Sequence, residues 1–128
     1  MVVLDTSVII DHLRQPAKKS QLIKAIETLP EERFALSVVS IQELYEGKST
    51  KNESRETDLL TTLTKIEILP YTYEVASMAG KIARDLGRPI ELADAAIAAV
   101  AVMNKAQLFT LNRKDFAGIT DLKLLEIS

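Results

Sequence analysis

The first ten residues, 1–10 (MVVLDTSVII), decide the fold class of this chain. Residues 2–4 form an uninterrupted apolar run rich in β-branched side chains, which is typical of a strand buried on both faces of a parallel sheet. The run stops at Asp5, and residues 5–7 are types that begin helices. The segment therefore predicts a strand, a turn and a helix, the start of a β-α unit.

Short apolar runs and longer amphipathic segments alternate along the rest of the chain. Ser40 and Glu43 have the spacing of a capping box, which predicts that a helix begins at Ser40. The alternation predicts an α/β protein with a central parallel sheet and a single domain over residues 1–128. Further strands are expected at 34–39, 66–69, 108–111 and 124–127, and further helices at 20–29, from 40, around 59–63, from 73 and at 91–104.

The composition excludes several kinds of site. The 128 residues include no Cys and one His, His12, so thiolate chemistry, disulfides and zinc-finger sites are excluded and any metal must be held by oxygen. The net charge of −2 shows no basic excess of the kind that general nucleic-acid binders carry. The N-terminus does not resemble a signal peptide, and the apolar stretch 92–103 is too short to span a bilayer, so a cytoplasmic protein without a membrane partner is expected.

Four acids stand out because they follow predicted strands or lie among apolar residues. Asp5 follows the first strand, Glu43 lies one helical turn beyond the second, and Asp115 follows the strand at 108–111. Each of these three could instead be a helix cap or a solvated acid. Asp94 lies in an alanine-rich helix, where burying a lone carboxylate is costly.

Ligands bind at the carboxyl ends of strands in open α/β sheets, so these four acids are expected to converge there. Two carboxylates about 4 Å apart repel by about 4 kcal/mol at an effective dielectric near 20, and a cation would relieve that repulsion. Mg²⁺ or Mn²⁺ is the expected cofactor because hard cations prefer oxygen ligands. The acids therefore indicate metal-dependent hydrolysis of a phosphoester.

Polar and basic side chains close to the four acids are expected to support such a site. Hydroxyl and amide groups could orient the carboxylates and their waters, although the same residue types also cap helices. Basic residues nearby could contact phosphates, or could belong to a solvated face. The polar candidates are Thr6, Ser7, Thr110 and Asn112, and the basic ones are Arg84, Arg88, Arg113 and Lys114.

Four segments in order resemble the PIN-domain ribonucleases, specifically the VapC toxins of VapBC toxin–antitoxin systems. They are LDTSVIIDHL (4–13), SVVSIQELYEG (37–47), LADAAIAAVA (92–101) and LFTLNRKDF (108–116). The resemblance covers essentially the whole chain. Ser7 stands where many members carry Asn, and residues 48–58 are unusually polar.

The resemblance implies a PIN-like three-layer α/β/α sandwich and a Mg²⁺- or Mn²⁺-dependent endoribonuclease. The family's catalytic acids correspond to Asp5, Glu43, Asp94 and Asp115, and we expect Asp5, Asp94 and Asp115 to hold the metal. The implied partners are an RNA substrate, often tRNA, a VapB-like antitoxin that obstructs the site, and a second copy in a homodimer.

Two alternatives remain open at the level of the sequence. A phosphatase could use Asp5 as its nucleophile, although Ser7 stands where an enzyme of the haloacid-dehalogenase type would need a second Asp. A degenerate PIN-like scaffold could bind proteins without catalysis, although such a scaffold has no need for the four acids.

Overall fold

The N-terminal strand β1 (Val2–Leu4) lies at the centre of a five-stranded sheet in the computed structural model, which describes residues 1–16 and 19–127. The strand order is β3-β2-β1-β4-β5, and every recorded pairing is parallel. The remaining strands are β2 (Phe34–Ser37), β3 (Glu67–Leu69), β4 (Gln107–Phe109) and β5 (Lys123–Leu124). The predicted parallel α/β architecture is confirmed.

Within residues 1–16 and 19–127, six α-helices connect the strands and cover the sheet. They are α1 (Thr6–Arg14), α2 (Gln21–Thr28), α3 (Val38–Glu46), α4 (Glu53–Leu63), α5 (Tyr73–Asp85) and α6 (Leu92–Met103). Two short 3₁₀ turns, Lys48–Thr50 and Arg113–Phe116, lie in the connections after α3 and β4. None of the helices in the described part of the chain has the length and apolar character needed to cross a membrane.

The side chains of β1 alternate between two separate apolar cores, as the period of a strand requires. Val3 packs with α5 and α6 on one face of the sheet. Val2 and Leu4 pack with α1 to α4 on the other face. The sheet is therefore buried on both sides between two helical layers, which makes the three-layer α/β/α sandwich.

Strand β2 ends earlier than its apolar pattern predicts, and this changes the beginning of α3. The strand stops at Ser37, whose hydroxyl accepts a hydrogen bond from the Val39 N–H (3.1 Å) and caps the helix. The predicted capping box of Ser40 and Glu43 is wrong, because Ser40 lies inside α3 and is completely buried. Apolar residues alone did not distinguish the end of a buried strand from the start of a buried helix.

The other boundaries lie close to their predicted positions. Strand β4 is shorter than the predicted 108–111, so Thr110 lies beyond its carboxyl end, and β5 covers only Lys123–Leu124 of the region predicted at 124–127. Gly87, two residues beyond the end of α5, has a φ of +79°, a left-handed conformation that favours glycine.

Helix α6 is apolar on all sides because it lies between the sheet and α5. Residues 95–101 are all buried, and five of these seven are alanine. Small side chains allow the helix to approach both neighbours closely, while Ile97 fills the space in the core between them. The position of this helix determines where Asp94, in its first turn, is placed.

Replacing Ile97 with Ala should therefore lower the free energy of unfolding by about 2–5 kcal/mol, because it leaves a cavity in a closely packed core. Leu92→Ala on the same helix is the matched control, since Leu92 is 78% exposed and its loss should cost less than about 0.5 kcal/mol. Urea denaturation of both variants measures the difference. Equal losses would contradict the packing described for α6.

Candidate functional site

The carboxyl ends of β1 and β4 meet at the point where the chain changes from one face of the sheet to the other. In the order β3-β2-β1-β4-β5, helices α1 to α4 lie on one face, and α5 and α6 lie on the other. The Asp5 N–H donates to the Phe109 carbonyl (2.8 Å), so Asp5 lies beside the end of β4. Ligand sites of open α/β sheets form at such a switch point.

Asp5 is nearly buried, with 4% of its surface exposed, and hydroxyl groups fix its carboxylate. Ser7 Oγ and Thr110 Oγ1 each donate to Oδ2 at 2.7 Å. Both hydroxyls are oriented in turn, because Ser7 Oγ accepts from the Leu111 N–H (3.1 Å) and Thr110 Oγ1 accepts from the Asn112 N–H (2.9 Å). Oδ2 is thus engaged by the protein, while Oδ1 takes part in neither bond.

Asp5 does not act as a helix cap. It occupies the N-cap position of α1, but its side chain makes no capping hydrogen bond. The carboxylate instead accepts hydrogen bonds from the hydroxyls of Ser7, in the first turn of α1, and Thr110, beyond the end of β4. This arrangement removes the main alternative explanation for an acid at this position.

Glu43 lies on α3 and is connected to α1 through Thr6. Thr6 Oγ1 donates to Glu43 Oε1 (2.6 Å) and lies 2.8 Å from Ser40 Oγ. Burial raises the pKa of Glu43 most strongly, the Thr6 hydrogen bond lowers it, and nearby carboxylates, Asp5 first, raise it further. Thr6, predicted as a polar companion of the site, therefore contacts Glu43 and not Asp5.

Asp94 lies in the first turn of α6, and Glu91 occupies the N-cap position of that helix. Burial and the neighbouring carboxylates of Asp5, Asp115, Glu43 and Glu91 raise the pKa of Asp94 to about 7. A helix N-terminus favours a negative charge, so desolvation and repulsion together exceed that effect here. Asp94 therefore carries a proton for part of the time at neutral pH.

Asp115 lies in the exposed 3₁₀ turn after β4. It faces Asp94 across an open cleft, which is also lined by Arg88, Pro89, Ile90, Glu91 and Leu92. We refer to Asp5, Glu43, Asp94 and Asp115 as the acidic site. Asp5, Asp115 and Glu43 each raise the pKa of Asp94, which indicates that the structure brings the four acids together.

The acidic site concentrates negative charge, but its carboxylates are not arranged as direct ligands of one ion. Among residues 1–16 and 19–127, no group of three or more His, Cys, Asp or Glu side chains has an arrangement that could hold a metal. Carboxylates whose charges repel one another are stabilised by a nearby cation all the same. The oxygen-only donor set suits a hard divalent ion that keeps several waters.

Two residues of this region were not predicted from the sequence. Glu91 acts on the pKa of both Asp94 and Glu43, but in the sequence it resembles an ordinary residue at the start of a helix. Ser40 lies against Thr6 and was predicted as a cap. The short spacing between Glu91 and Asp94 was the one available signal for Glu91.

The remaining predicted polar and basic residues occupy different environments. Asn112 contributes its main-chain N–H to Thr110, and its side chain is exposed. Arg84 pairs with Asp85 (2.7 Å), and Arg113 binds the Leu125 carbonyl and the Glu126 carboxylate (3.3 Å each). Lys114 is exposed. Of the basic candidates, Arg88 lines the cleft with Asp94 and Asp115.

His12 lies away from the acidic site and contributes to packing. Its Nδ1 lies 2.8 Å from Ser20 Oγ, and the neighbouring Asp11 accepts a hydrogen bond from the Gln21 N–H (2.9 Å). Burial lowers the pKa of His12, while Asp11 and Asp58 oppose that shift. These contacts connect α1 to the start of α2.

Comparisons with known proteins identify the family to which this sequence is similar. Residues 2–122 match the PIN domain family. Ribonuclease VapC1 of Haemophilus influenzae (strain R2866) is 32% identical over 127 residues, which cover 94% of this chain and 92% of that protein.

Solved structures with the same fold come from toxin–antitoxin complexes. VapBC2 from Rickettsia felis, bound to a DNA fragment from their promoter, has a TM-score of 0.85 and 26% identity, with full coverage of both chains. VapBC-1 from nontypeable Haemophilus influenzae has a TM-score of 0.79 and 30% identity, covering 98% of each chain. From its sequence and its fold, this chain belongs to the PIN-domain family, among the VapC proteins.

Proposed function

We propose that this protein is a metal-dependent endoribonuclease and the toxin of a type II toxin–antitoxin system, built as a single PIN domain over residues 1–128. The observation that supports this most directly is the acidic site at the switch point of the sheet, where burial and the surrounding carboxylates raise the pKa of Asp94 to about 7. A relative named as a ribonuclease adds the class of substrate, which is RNA. Resemblance to the family makes tRNA the first candidate.

We propose Asp5, Asp94 and Asp115 as the residues that hold Mg²⁺ or Mn²⁺. The described part of the chain has no three-residue group arranged to hold an ion directly, and Mg²⁺ would therefore have to bind one or two of these carboxylates and reach the others through water. A bound divalent cation supplies polarisation of the phosphodiester and activation of the attacking water.

The chain's own residues orient the acids and provide a proton acceptor. The hydroxyls of Ser7 and Thr110 fix one oxygen of Asp5, so the other can bind without a loss of orientation. Glu43 is fixed by Thr6 through Oε1, and burial raises its pKa. A carboxylate with a raised pKa is suited to take a proton from the attacking water.

The environment of Asp5 favours hydrolysis at a cation over the alternative of a phosphatase with Asp5 as nucleophile. Two hydroxyls bind Oδ2, and one of them belongs to Ser7, which stands where an enzyme with an Asp nucleophile of the haloacid-dehalogenase type would need a second Asp. The retained cluster of acids also argues against a scaffold without catalysis, because clustered like charges cost stability.

We propose a VapB-like antitoxin as the protein partner, and an apolar groove beside the site supports this. Val38, Tyr45, Tyr71 and Leu92 are exposed around the groove, and Glu43 lies on its wall. A partner segment in this groove would cover the acidic site. A homodimer is the expected assembly by resemblance to the family, and a protein that acts on RNA with such a partner would work in the cytoplasm.

Asp94→Asn should reduce cleavage of labelled RNA by at least about 100-fold, because it removes a proposed metal ligand. Glu27→Gln is the control, since Glu27 is an exposed acid on α2 away from the site. Cleavage by the unaltered protein should require Mg²⁺ or Mn²⁺ and stop with EDTA. Activity that persists in Asp94→Asn would contradict the assignment.

Thr110→Val should weaken Mn²⁺ binding by about tenfold, because Asp5 loses a hydroxyl that orients it. The matched control is Thr61→Val, which removes an exposed hydroxyl bonded to the Thr57 carbonyl on α4. Calorimetric titration measures both. Unchanged affinity in Thr110→Val would exclude an orienting role for this hydroxyl.

The contribution of Asp94 to the stability of the metal-free protein should become unfavourable as the pH rises from about 4 to 7. The folded-state pKa of Asp94 is about 7, well above the value of about 3.9 for an unfolded chain, so the folded state binds more protons in this range. Asp94→Asn should remove this dependence. In EDTA its melting temperature should equal that of the unaltered protein near pH 4 and exceed it above pH 7, and Mg²⁺ should narrow that difference. A constant difference across pH would contradict the raised pKa.

A further inference from the structure

Arg88 connects the two sides of the cleft through hydrogen bonds to main-chain carbonyls. The roles proposed above for the acids and hydroxyls do not involve it. It follows Gly87, after the end of α5, in the segment that leads to Glu91 and Asp94. Its Nη2 donates to the carbonyls of Ala117 (2.7 Å), Asp115 (3.2 Å) and Lys114 (3.5 Å), and its Nη1 donates to the Pro89 carbonyl (3.3 Å).

The turn that carries Asp115 needs such support. It is a four-residue 3₁₀ turn, Arg113–Phe116, and its buried side chain is Phe116 at the far end. Hydrogen bonds in 3₁₀ turns have poor geometry, and the last carbonyls of any helical segment lack partners within it. The planar guanidinium of Arg88 supplies donors to two carbonyls of the turn, those of Lys114 and Asp115, and to the carbonyl of Ala117, which follows the turn.

Arg88 is directed to the main chain and not to the acids that it accompanies. The pKa of Asp94 is governed by burial and by four carboxylates. A guanidinium that neutralised the acidic site would compete with a cation, whereas one bound to carbonyls can hold the cleft open for it. Arg84, three residues before Gly87, pairs instead with its neighbour Asp85.

We propose that Arg88 is a positioning residue, which fixes the Asp115 turn against the start of α6 and so maintains the arrangement of Asp94 and Asp115 across the cleft. The part of this inference that concerns cation binding rests on the proposed function. The part that concerns the turn does not.

Cation affinity distinguishes positioning from simple electrostatics by its sign. Removing a positive charge beside carboxylates strengthens cation binding if charge is all that matters. Loss of positioning weakens it, by about tenfold for a residue that supports metal ligands. We expect Mn²⁺ to bind more weakly to Arg88→Ala, and also to Arg88→Lys, which keeps the charge but lacks the planar fork. Arg84→Ala is the matched control and should leave the affinity unchanged.

Hydrogen exchange tests the turn without reference to metal. The Ala117 N–H donates to the Lys114 carbonyl (3.3 Å), and its exchange should accelerate in Arg88→Ala but not in Arg84→Ala. Amides of the buried helix α6 report global unfolding and should exchange at the same rate in all variants.

The outcomes separate the two proposals. If the unaltered protein binds no Mn²⁺, the proposed function fails, and the exchange of Ala117 still decides the role of Arg88. Tighter Mn²⁺ binding in Arg88→Ala, or unchanged exchange at Ala117, would overturn the positioning role. An increase in KM for RNA alone, with a weaker salt dependence and unchanged Mn²⁺ affinity, would instead identify Arg88 as a phosphate contact.

Discussion

The pairing of β1 with β4 is the constraint on which the rest of this molecule depends. It joins residues about a hundred positions apart, and it places Asp5 beside Thr110, whose hydroxyl donates to the carboxylate at 2.7 Å. The same pairing forms the switch point of the sheet, since the helices that precede β4 cover the opposite face from those that follow β1. Without this contact, Asp5 would lose the hydrogen bond from Thr110 and keep only the local one from Ser7.

Hydrogen bonds from hydroxyl groups stabilise two of the carboxylates in the acidic site. Ser7 and Thr110 hold Asp5, and Thr6 holds Glu43, so two of the four carboxylates are hydrogen-bonded by donors that are themselves oriented. Asp94 has the pKa raised to about 7, and its proton is the remaining means of lowering the repulsion when no cation is present. Stability and cation binding are therefore coupled. Deprotonation of Asp94 lowers the stability of the metal-free protein and increases the stabilisation that a bound cation would provide.

The sequence predicted the strands and helices well because short apolar runs mark the strands and longer amphipathic segments mark the helices. The apolar run at Val2–Leu4 is typical of a strand buried on both faces. The alanine-rich stretch around Asp94 is typical of a buried helix. Predictions failed where an apolar run continued from strand to helix, as at Ser37 to Ser40, since both sides of that boundary are buried. Glu91 was missed for a different reason: its effect on Asp94 depends on the shape of the cleft.

By itself, the sequence determined the element order, the parallel sheet, the acids worth following and the exclusion of thiolate and imidazole metal sites, because residue type and spacing are local properties. The tertiary structure alone decided which hydroxyl serves which acid, that Asp5 is held across the sheet and does not cap its own helix, and that Arg88 binds the turn of Asp115. These facts arise from contacts between segments distant in the chain, and their distances are set by packing, which local patterns do not encode.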